Sequence, residues 1–257
     1  MSLPIDLSPL EFLLFAVAGV GTGIINTLAG SGSLVTLPIF IFLCGLPAPI
    51  ANGTNRIGVM VQSAVGVAAF RNMKATDYRG SAWIVVPAVA GAILGSRIAV
   101  DLNEEAMNTA LGILMVLMLV VLTVRPERWI HEGSFHPDRN KAPLTMLVFF
   151  VIGIYGGFIQ AGVGILLMAG LVLLSGYSLS ATNGIKLLIV FAYGIPTLIV
   201  FYMQGQVHLA YGLLMAGFQG IGALLAAKFV VKVPHANVWI HRLLILIVAA
   251  SAAKFLL

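Results

Sequence analysis

The sequence predicts an all-α, polytopic integral membrane protein with about eight transmembrane helices, two short re-entrant or half-helix segments and an inverted internal repeat. Three observations carry this prediction: the composition, the spacing of the apolar stretches and matching motifs in the two halves. Of 257 residues, 60% are hydrophobic and only 9% are charged, whereas a soluble domain carries about 25% charged residues. The mean hydropathy is +1.05. A soluble, disordered or disulfide-rich secreted protein is therefore excluded, and the single cysteine, Cys44, is expected to be a small core residue.

The apolar stretches set the number of predicted spans, because a transmembrane helix needs about 20 apolar residues. Eight stretches reach this length. Two others, 33–46 and 163–175, are too short to cross the membrane comfortably and predict half-helices or re-entrant segments. The long polar connection 125–142 divides the chain nearly in half. The predicted spans are 10–28, 50–71, 80–100, 105–124, 143–161, 180–203, 208–230 and 236–257.

Matching motifs indicate that the halves arose by duplication. They occur in the same order and at nearly constant separation, so we predict a first transmembrane repeat at 1–124, a connecting loop at 125–142 and a second repeat at 143–257. The pairs are 28–32 with 160–164, 51–56 with 181–186, and 91–97 with 222–228.

The distribution of charge predicts the orientation. Basic residues in the loop 71–79 and in the central loop favour the cytoplasmic side, whereas the acidic loop 101–105 favours the outside. The second half then begins on the opposite side from the first, which is the inverted arrangement common in secondary transporters. We expect an inner-membrane, multi-pass location.

Two basic residues, Arg56 and Lys186, lie about two turns inside predicted spans at matching places in the halves. Burying a cation in a membrane costs at least about 2.5 kcal/mol, and the spans offer no internal carboxylate to neutralise it. An anionic ligand is the partner we expect, and snorkelling of both side chains to the headgroups is the alternative.

Each half also contains an Ala-Gly-x-Gly motif between a long and a short apolar stretch. Paired glycines let the chain leave helical geometry and approach a ligand closely, and paired helix breaks are the best sequence indication of a transporter binding site. Close helix packing through small residues is the alternative. Polar residues cluster around these motifs and the two cations. The predicted substrate-binding residues are Asn26, Gly30, Ser31, Gly32, Ser33, Asn52, Asn55, Arg56, Gln160, Gly162, Gly164, Asn183 and Lys186.

Other classes of function have little support in the sequence. The segment 30–33 lacks the Gly-Lys-Ser/Thr continuation of a phosphate-binding loop, and the five histidines show no metal-ligand spacing. The net charge of +5 is scattered, with no basic run that would indicate a nucleic-acid interface. We therefore expect no enzyme activity, cofactor, metal or nucleic-acid partner; the expected partners are a small anion, the lipid bilayer and, as an open alternative to a monomer, a second copy of the chain.

The ordered set of motifs at 23–34, 51–56, 91–97 and 156–164 resembles the sulfite exporter TauE/SafE family. The resemblance spans nearly the whole chain. It implies a permease of about eight spans that moves sulfite, thiosulfate, sulfoacetate or a related organosulfonate. By position, the family's repeated glycine motifs fall on 30–33 and 160–164, and its polar and basic helix starts fall on 52–56 and 182–186.

The sequence thus predicts a secondary transporter of a small sulfur-containing anion that works by alternating access. An anion channel and a transporter of a non-sulfur organic anion remain alternatives, and a membrane enzyme or assembly factor is a third class. The residues alone do not distinguish export from uptake.

Overall fold

The computed structural model describes residues 5–72, 78, 81–124, 142–175, 177, 179–228 and 236–256, and the predicted central loop lies outside these ranges except for Ala142. All regular secondary structure in these ranges is helical, so the all-α prediction is confirmed there. The helices are α1 (Pro9–Ala29), α2 (Ser33–Pro38, continued by a π-helical turn at Ile39–Leu43), α3 (Ala48–Asn72), α4 (Ala82–Val100), α5 (Glu104–Val124), α6 (Ala142–Phe158), α7 (Val163–Leu173), α8 (Leu179–Met203), α9 (Leu209–Lys228) and α10 (Ala236–Leu256).

Each predicted span coincides with one of the eight longer helices. Within the described residues, five helices are both long and apolar enough to cross a membrane: α1, α4, α5, α8 and α9. Helix α3 has the length, but its polar residues, among them Asn52, Asn55 and Arg56, lower its hydropathy. Helix α6 has 17 residues, fewer than the about 20 that a span usually needs. The exact count of eight spans stays a prediction.

Two short apolar helices lie where the sequence predicts them. The segment Ser33–Leu43 and helix α7 are both shorter than the spans. Helix α7 has 11 residues, which at 1.5 Å per residue extend only about 16 Å, about half of a bilayer's hydrocarbon core. Each short helix follows a long helix after a break that contains glycine.

Close backbone contacts join helices of different halves. Helix α4 packs along α6, and α1 packs along α9. A side chain added at Gly95 would overlap the backbone at Ile154, and one added at Gly222 would overlap the backbone at Val20. Small residues let the helix axes approach, which is how membrane helices associate without a hydrophobic driving force.

Helices α3 and α8 run antiparallel through the centre of the bundle. Arg56 near the start of α3 lies against Phe201 near the end of α8, and Gly66, further along α3, lies against Leu187 near the start of α8. Helix α3 also packs on α9, and α8 on α4. The long helices turn many large apolar side chains outward, for example Leu10, Val86 and Ile113, as expected of a surface that faces lipid.

Candidate functional site

The first glycine motif ends helix α1 and begins α2. Gly30 adopts a left-handed conformation (φ 72°, ψ 19°), and its N–H donates to the Asn26 carbonyl at 2.9 Å. Gly32 donates its N–H to the Asn26 side-chain oxygen at 3.3 Å. Left-handed backbone is inexpensive for glycine alone, so the motif dictates where the helix breaks.

The second glycine motif breaks the chain between α6 and α7 in a related way. Gly162 is left-handed (φ 71°), as Gly30 is in the first motif, and Gln160 shares this conformation (φ 67°). A non-glycine residue with positive φ is uncommon. The Tyr155 hydroxyl donates to the Ala161 carbonyl and holds the loop against α6.

The two breaks lie against each other. The Gly164 N–H donates to the Gly30 carbonyl at 3.1 Å. A side chain on either glycine would overlap the backbone of the other. The motifs that the sequence pairs by similarity are therefore also paired in space, and neither position has room for a larger residue.

Arg56 is fully buried and binds the end of α6. Its guanidinium donates to the carbonyls of Gly156, Gly157 and Phe158 at 3.5, 2.5 and 3.4 Å, and lies 4.2 Å from the centre of the Phe201 ring. The last carbonyls of a helix carry the negative end of its dipole and favour a cation. Because Arg56 is 0% exposed, the snorkelling interpretation is wrong for this residue.

Lys186 makes the reciprocal contact to the first half. Its Nζ donates to the carbonyl of Thr27, near the end of α1, at 3.1 Å, and to the Asn183 side-chain oxygen at 3.1 Å. The Met168 sulfur lies 3.7 Å away. Lys186 is 1% exposed, so snorkelling is wrong here as well. Each half thus supplies one cation to the end of the broken helix of the other half.

A small cavity of about 10 Å³, which is room for roughly one water molecule, lies between the two breaks. Lys186 lines it, whereas Arg56 does not. Two buried oxygens of the lining residues, Ser63 Oγ and Gln160 Oε1, have no hydrogen-bond partner among the described residues. The lining residues are Asn26, Gly30, Ser33, Val59, Ser63, Gln160, Val163, Gly164, Lys186, Leu187 and Val190.

The structure thus divides the predicted site residues into two groups. Asn26, Gly30, Ser33, Gln160, Gly164 and Lys186 surround the cavity. The others lie behind its wall or outside it: Asn52 donates to the Phe158 carbonyl at 2.8 Å, Asn55 donates to Ser33 Oγ at 3.0 Å, Asn183 accepts from Lys186, and Ser31, Gly32, Arg56 and Gly162 are absent from the lining.

Sequence reasoning missed several buried polar residues around the first break. Gln62 accepts from Asn26 Nδ2 at 2.5 Å and donates to Thr27 Oγ1 at 3.0 Å. Gln219 of α9 donates to Thr22 Oγ1 at 3.3 Å. Each glutamine stands in the middle of an apolar helix, and that signal could have identified both, because an intramembrane polar residue must find an internal partner.

Comparison with known proteins identifies the family of the chain. The sequence model of the family described as "Sulfite exporter TauE/SafE" matches residues 15–255. A probable membrane transporter protein of Sinorhizobium sp is 25% identical over 83% of this chain and 80% of its own length. One of Haemophilus influenzae is 24% identical over 90% of this chain and 88% of its own length. The probable membrane transporter protein YfcA of Escherichia coli K12 is 23% identical over 95% of this chain and 88% of its own length.

No solved structure matches the chain significantly. The family match covers nearly the whole chain, and the bacterial relatives, each named as a probable membrane transporter protein, match over most of their own length. With its apolar helices, the chain is a multi-pass protein of the inner (plasma) membrane. It belongs to the sulfite exporter TauE/SafE family of membrane transporters.

Proposed function

We propose that the chain is a secondary transporter that carries a small sulfur-containing anion across the inner membrane by alternating access. The anion binds between the two glycine breaks, where the small cavity must widen to admit it. One observation carries the proposal: a buried lysine, Lys186, lines a cavity whose walls come from both halves of the chain. Relatives named as membrane transporters and the family name support the substrate class.

The charge of the site favours an anion. The helices around the cavity hold no carboxylate except Glu11, in the first turn of α1 and far from the break. A protonated Lys186 therefore lacks a charged protein partner, and an isolated buried charge is costly unless a ligand of opposite sign compensates it.

Two uncharged side chains can complete the binding site. The Ser63 hydroxyl has no partner among the described residues and can donate its proton into the cavity. The Gln160 amide nitrogen donates to the Tyr193 hydroxyl at 3.4 Å. A 180° rotation of this amide would let Tyr193 donate to Oε1 instead and would turn the two N–H donors toward the anion. These donors suit a sulfur oxyanion with several acceptor oxygens.

The packing of the helices supports inverted repeats at 1–124 and 143–257. Exchanging the halves converts α1 into α6, α3 into α8 and α4 into α9. The contacts α1–α9 and α4–α6 are then equivalent, as are α3–α9 and α8–α4. The antiparallel α3 and α8 fit halves of opposite orientation. Rocking of one half against the other would expose the cavity alternately, driven by a gradient of the anion or of a coupled ion.

The test is counterflow in liposomes that contain the purified protein alone. We expect one of sulfite, thiosulfate, sulfoacetate or taurine inside the vesicles to accelerate uptake of its labelled form, while sulfate and chloride do not. Lys186→Gln should abolish this, and Lys228→Gln, which removes an exposed lysine, should leave it intact. Flux without saturation or counterflow would instead support a channel. Stimulation only by a carboxylate would support a non-sulfur organic anion, and stimulation only by a cation would overturn the proposal.

A further inference from the structure

The contacts of Lys186 differ in one respect from those of its counterpart Arg56. The Arg56 guanidinium stays protonated in proteins, and three carbonyls at the end of α6 together with the Phe201 ring surround it. Lys186 Nζ has two oxygen acceptors, the Thr27 carbonyl and Asn183 Oδ1. A neutral amine carries two N–H donors, and an ammonium carries three. The two oxygens therefore satisfy both N–H donors of the neutral amine, and its lone pair is left on the side of the Met168 sulfur and the cavity.

The third N–H of an ammonium would need another acceptor. The Met168 sulfur at 3.7 Å is a weak acceptor, and the remaining open direction is the cavity that Lys186 lines. An anion in this cavity supplies both an acceptor and a compensating charge. The protein itself therefore supplies acceptors for both N–H groups of the neutral amine, but neither a strong third acceptor nor a compensating charge for the ammonium.

No charged or titratable side chain on the described surrounding helices takes the anion's place as acceptor and compensating charge for Lys186. Arg71 and Arg97 are exposed near helix ends. Helix α7 has no titratable residue. On the helices that pack against α8, and on α8 itself, the groups in question are Glu11 of α1, Arg56 and Arg71 of α3, Arg97 of α4, Tyr155 of α6, and Tyr193 and Tyr202 of α8.

We propose that Lys186 carries the coupled proton: it is a neutral amine when the cavity is empty, takes up one proton when an anion binds, and releases that proton when the anion leaves. The inference rests on the proposed anion site and adds the coupling ion. The step balances, because the amine lone pair binds the proton, no other bond changes, and the ammonium and the anion together add no net charge for a monovalent substrate. Transport of such an anion would be proton symport without a buried carboxylate.

Binding and protonation at one site must be linked reciprocally. The test uses thiosulfate and methanesulfonate, strong-acid anions that carry no proton of their own near neutral pH. Calorimetric titration of the purified protein in buffers of different ionisation enthalpy counts the protons taken up. At basic pH we expect about one proton per anion, and a Kd that rises about tenfold per pH unit.

The decisive variant is Lys186→Arg, because arginine keeps the charge but does not release the proton. It should bind the anion with little dependence on pH and no proton uptake. Lys228→Arg, the same change at an exposed site, should behave as wild type. Proton uptake by Lys186→Arg equal to that of wild type would overturn the proposal.

The wild-type protein alone also decides the question if Lys186→Arg does not fold. Anion binding without proton uptake at any pH would overturn the coupling and leave the proposed transport function standing. Failure of both anions to bind at any pH, together with failure of every anion in the counterflow assay, would overturn both proposals.

Discussion

The Gly30 carbonyl accepts a hydrogen bond from the Gly164 N–H at 3.1 Å, which joins the two helix breaks directly. These glycines belong to different halves of the chain, and each lies within van der Waals reach of the backbone of the other. The contact forms one wall of the cavity that Lys186 lines. If one half rocks against the other, the two halves therefore either pivot at this contact or break it.

Gly164→Ala tests how closely the two breaks must approach. The added Cβ would overlap the Gly30 backbone, and overpacking of this kind costs about 1–3 kcal/mol. We expect a lower unfolding temperature in detergent and loss of anion counterflow. Gly21→Ala and Gly217→Ala meet no atom of the described residues within 4 Å, and both should be neutral or stabilising by up to about 1 kcal/mol.

Gly205→Ala separates backbone strain from crowding in the same series. Gly205 has φ +69°, close to that of Gly30, but it has open space around it. We expect it to destabilise the protein by about 1 kcal/mol without abolishing counterflow. Equal behaviour of Gly164→Ala and Gly21→Ala would contradict the close approach of the two breaks.

Arg56→Met tests the role of the buried guanidinium. The variant leaves three carbonyls at the end of α6 without their donor, and hydrogen bonds to charged groups contribute about 1.5–3 kcal/mol. We expect a loss of at least about 3 kcal/mol in the free energy of unfolding. Arg97→Met removes an exposed arginine and should change stability by less than about 0.5 kcal/mol. Similar unfolding curves for the two variants would contradict the capping role.

Asn26→Leu tests the polar network behind the first break. Asn26 donates to Gln62 and accepts from the Gly32 N–H, so leucine leaves both groups buried without a partner. A group left unsatisfied in this way costs about 1–3 kcal/mol. Thr123→Val changes an exposed polar residue of α5 and serves as the control. The prediction fails if denaturant unfolding does not separate the two variants.

Substitutions at Ser63 test whether the cavity is the binding site. Ser63→Leu would more than fill the small space between the breaks, and Ser63→Ala would remove only a hydroxyl that has no partner among the described residues. We expect the leucine variant to lose anion binding and the alanine variant to bind more weakly, by about tenfold for one lost hydrogen bond. Thermal stabilisation by the anion measures both effects, and retained binding in Ser63→Leu would place the site elsewhere.

Much of the architecture could be predicted from the sequence because membrane depth restricts the chain to helices. The apolar stretches marked the spans, and Gly30 and Gly162 marked breaks where the chain must adopt a conformation that few other residues accept. The predicted helix ends agree with the structure to within a few residues. The span predicted to end at 161 ends at Phe158, because Gln160 and Gly162 are left-handed.

The roles of the two cations could not be separated from the sequence. Arg56 and Lys186 occupy matching positions, and their spacing predicted one shared anion site. The difference depends on long-range contacts: Arg56 reaches the carbonyls of α6 across the bundle, whereas Lys186 keeps one direction open to the cavity. Ser63 was missed for the same reason, because only the packing of α3 on α1 and α8 gives it neighbours. Gln62 was also missed, although its position inside a predicted span is a signal that the sequence does carry.

The most direct measurement of the central claim is anomalous X-ray diffraction from crystals grown with selenite, a heavier analogue of pyramidal sulfite. The account predicts a selenium peak in the cavity between Gly30 and Gly164, within hydrogen-bond reach of Lys186 Nζ, and no such peak in Lys186→Gln crystals. Selenium found only at exposed basic residues such as Arg97 or Lys228, with an unoccupied cavity in the wild-type protein, would contradict it.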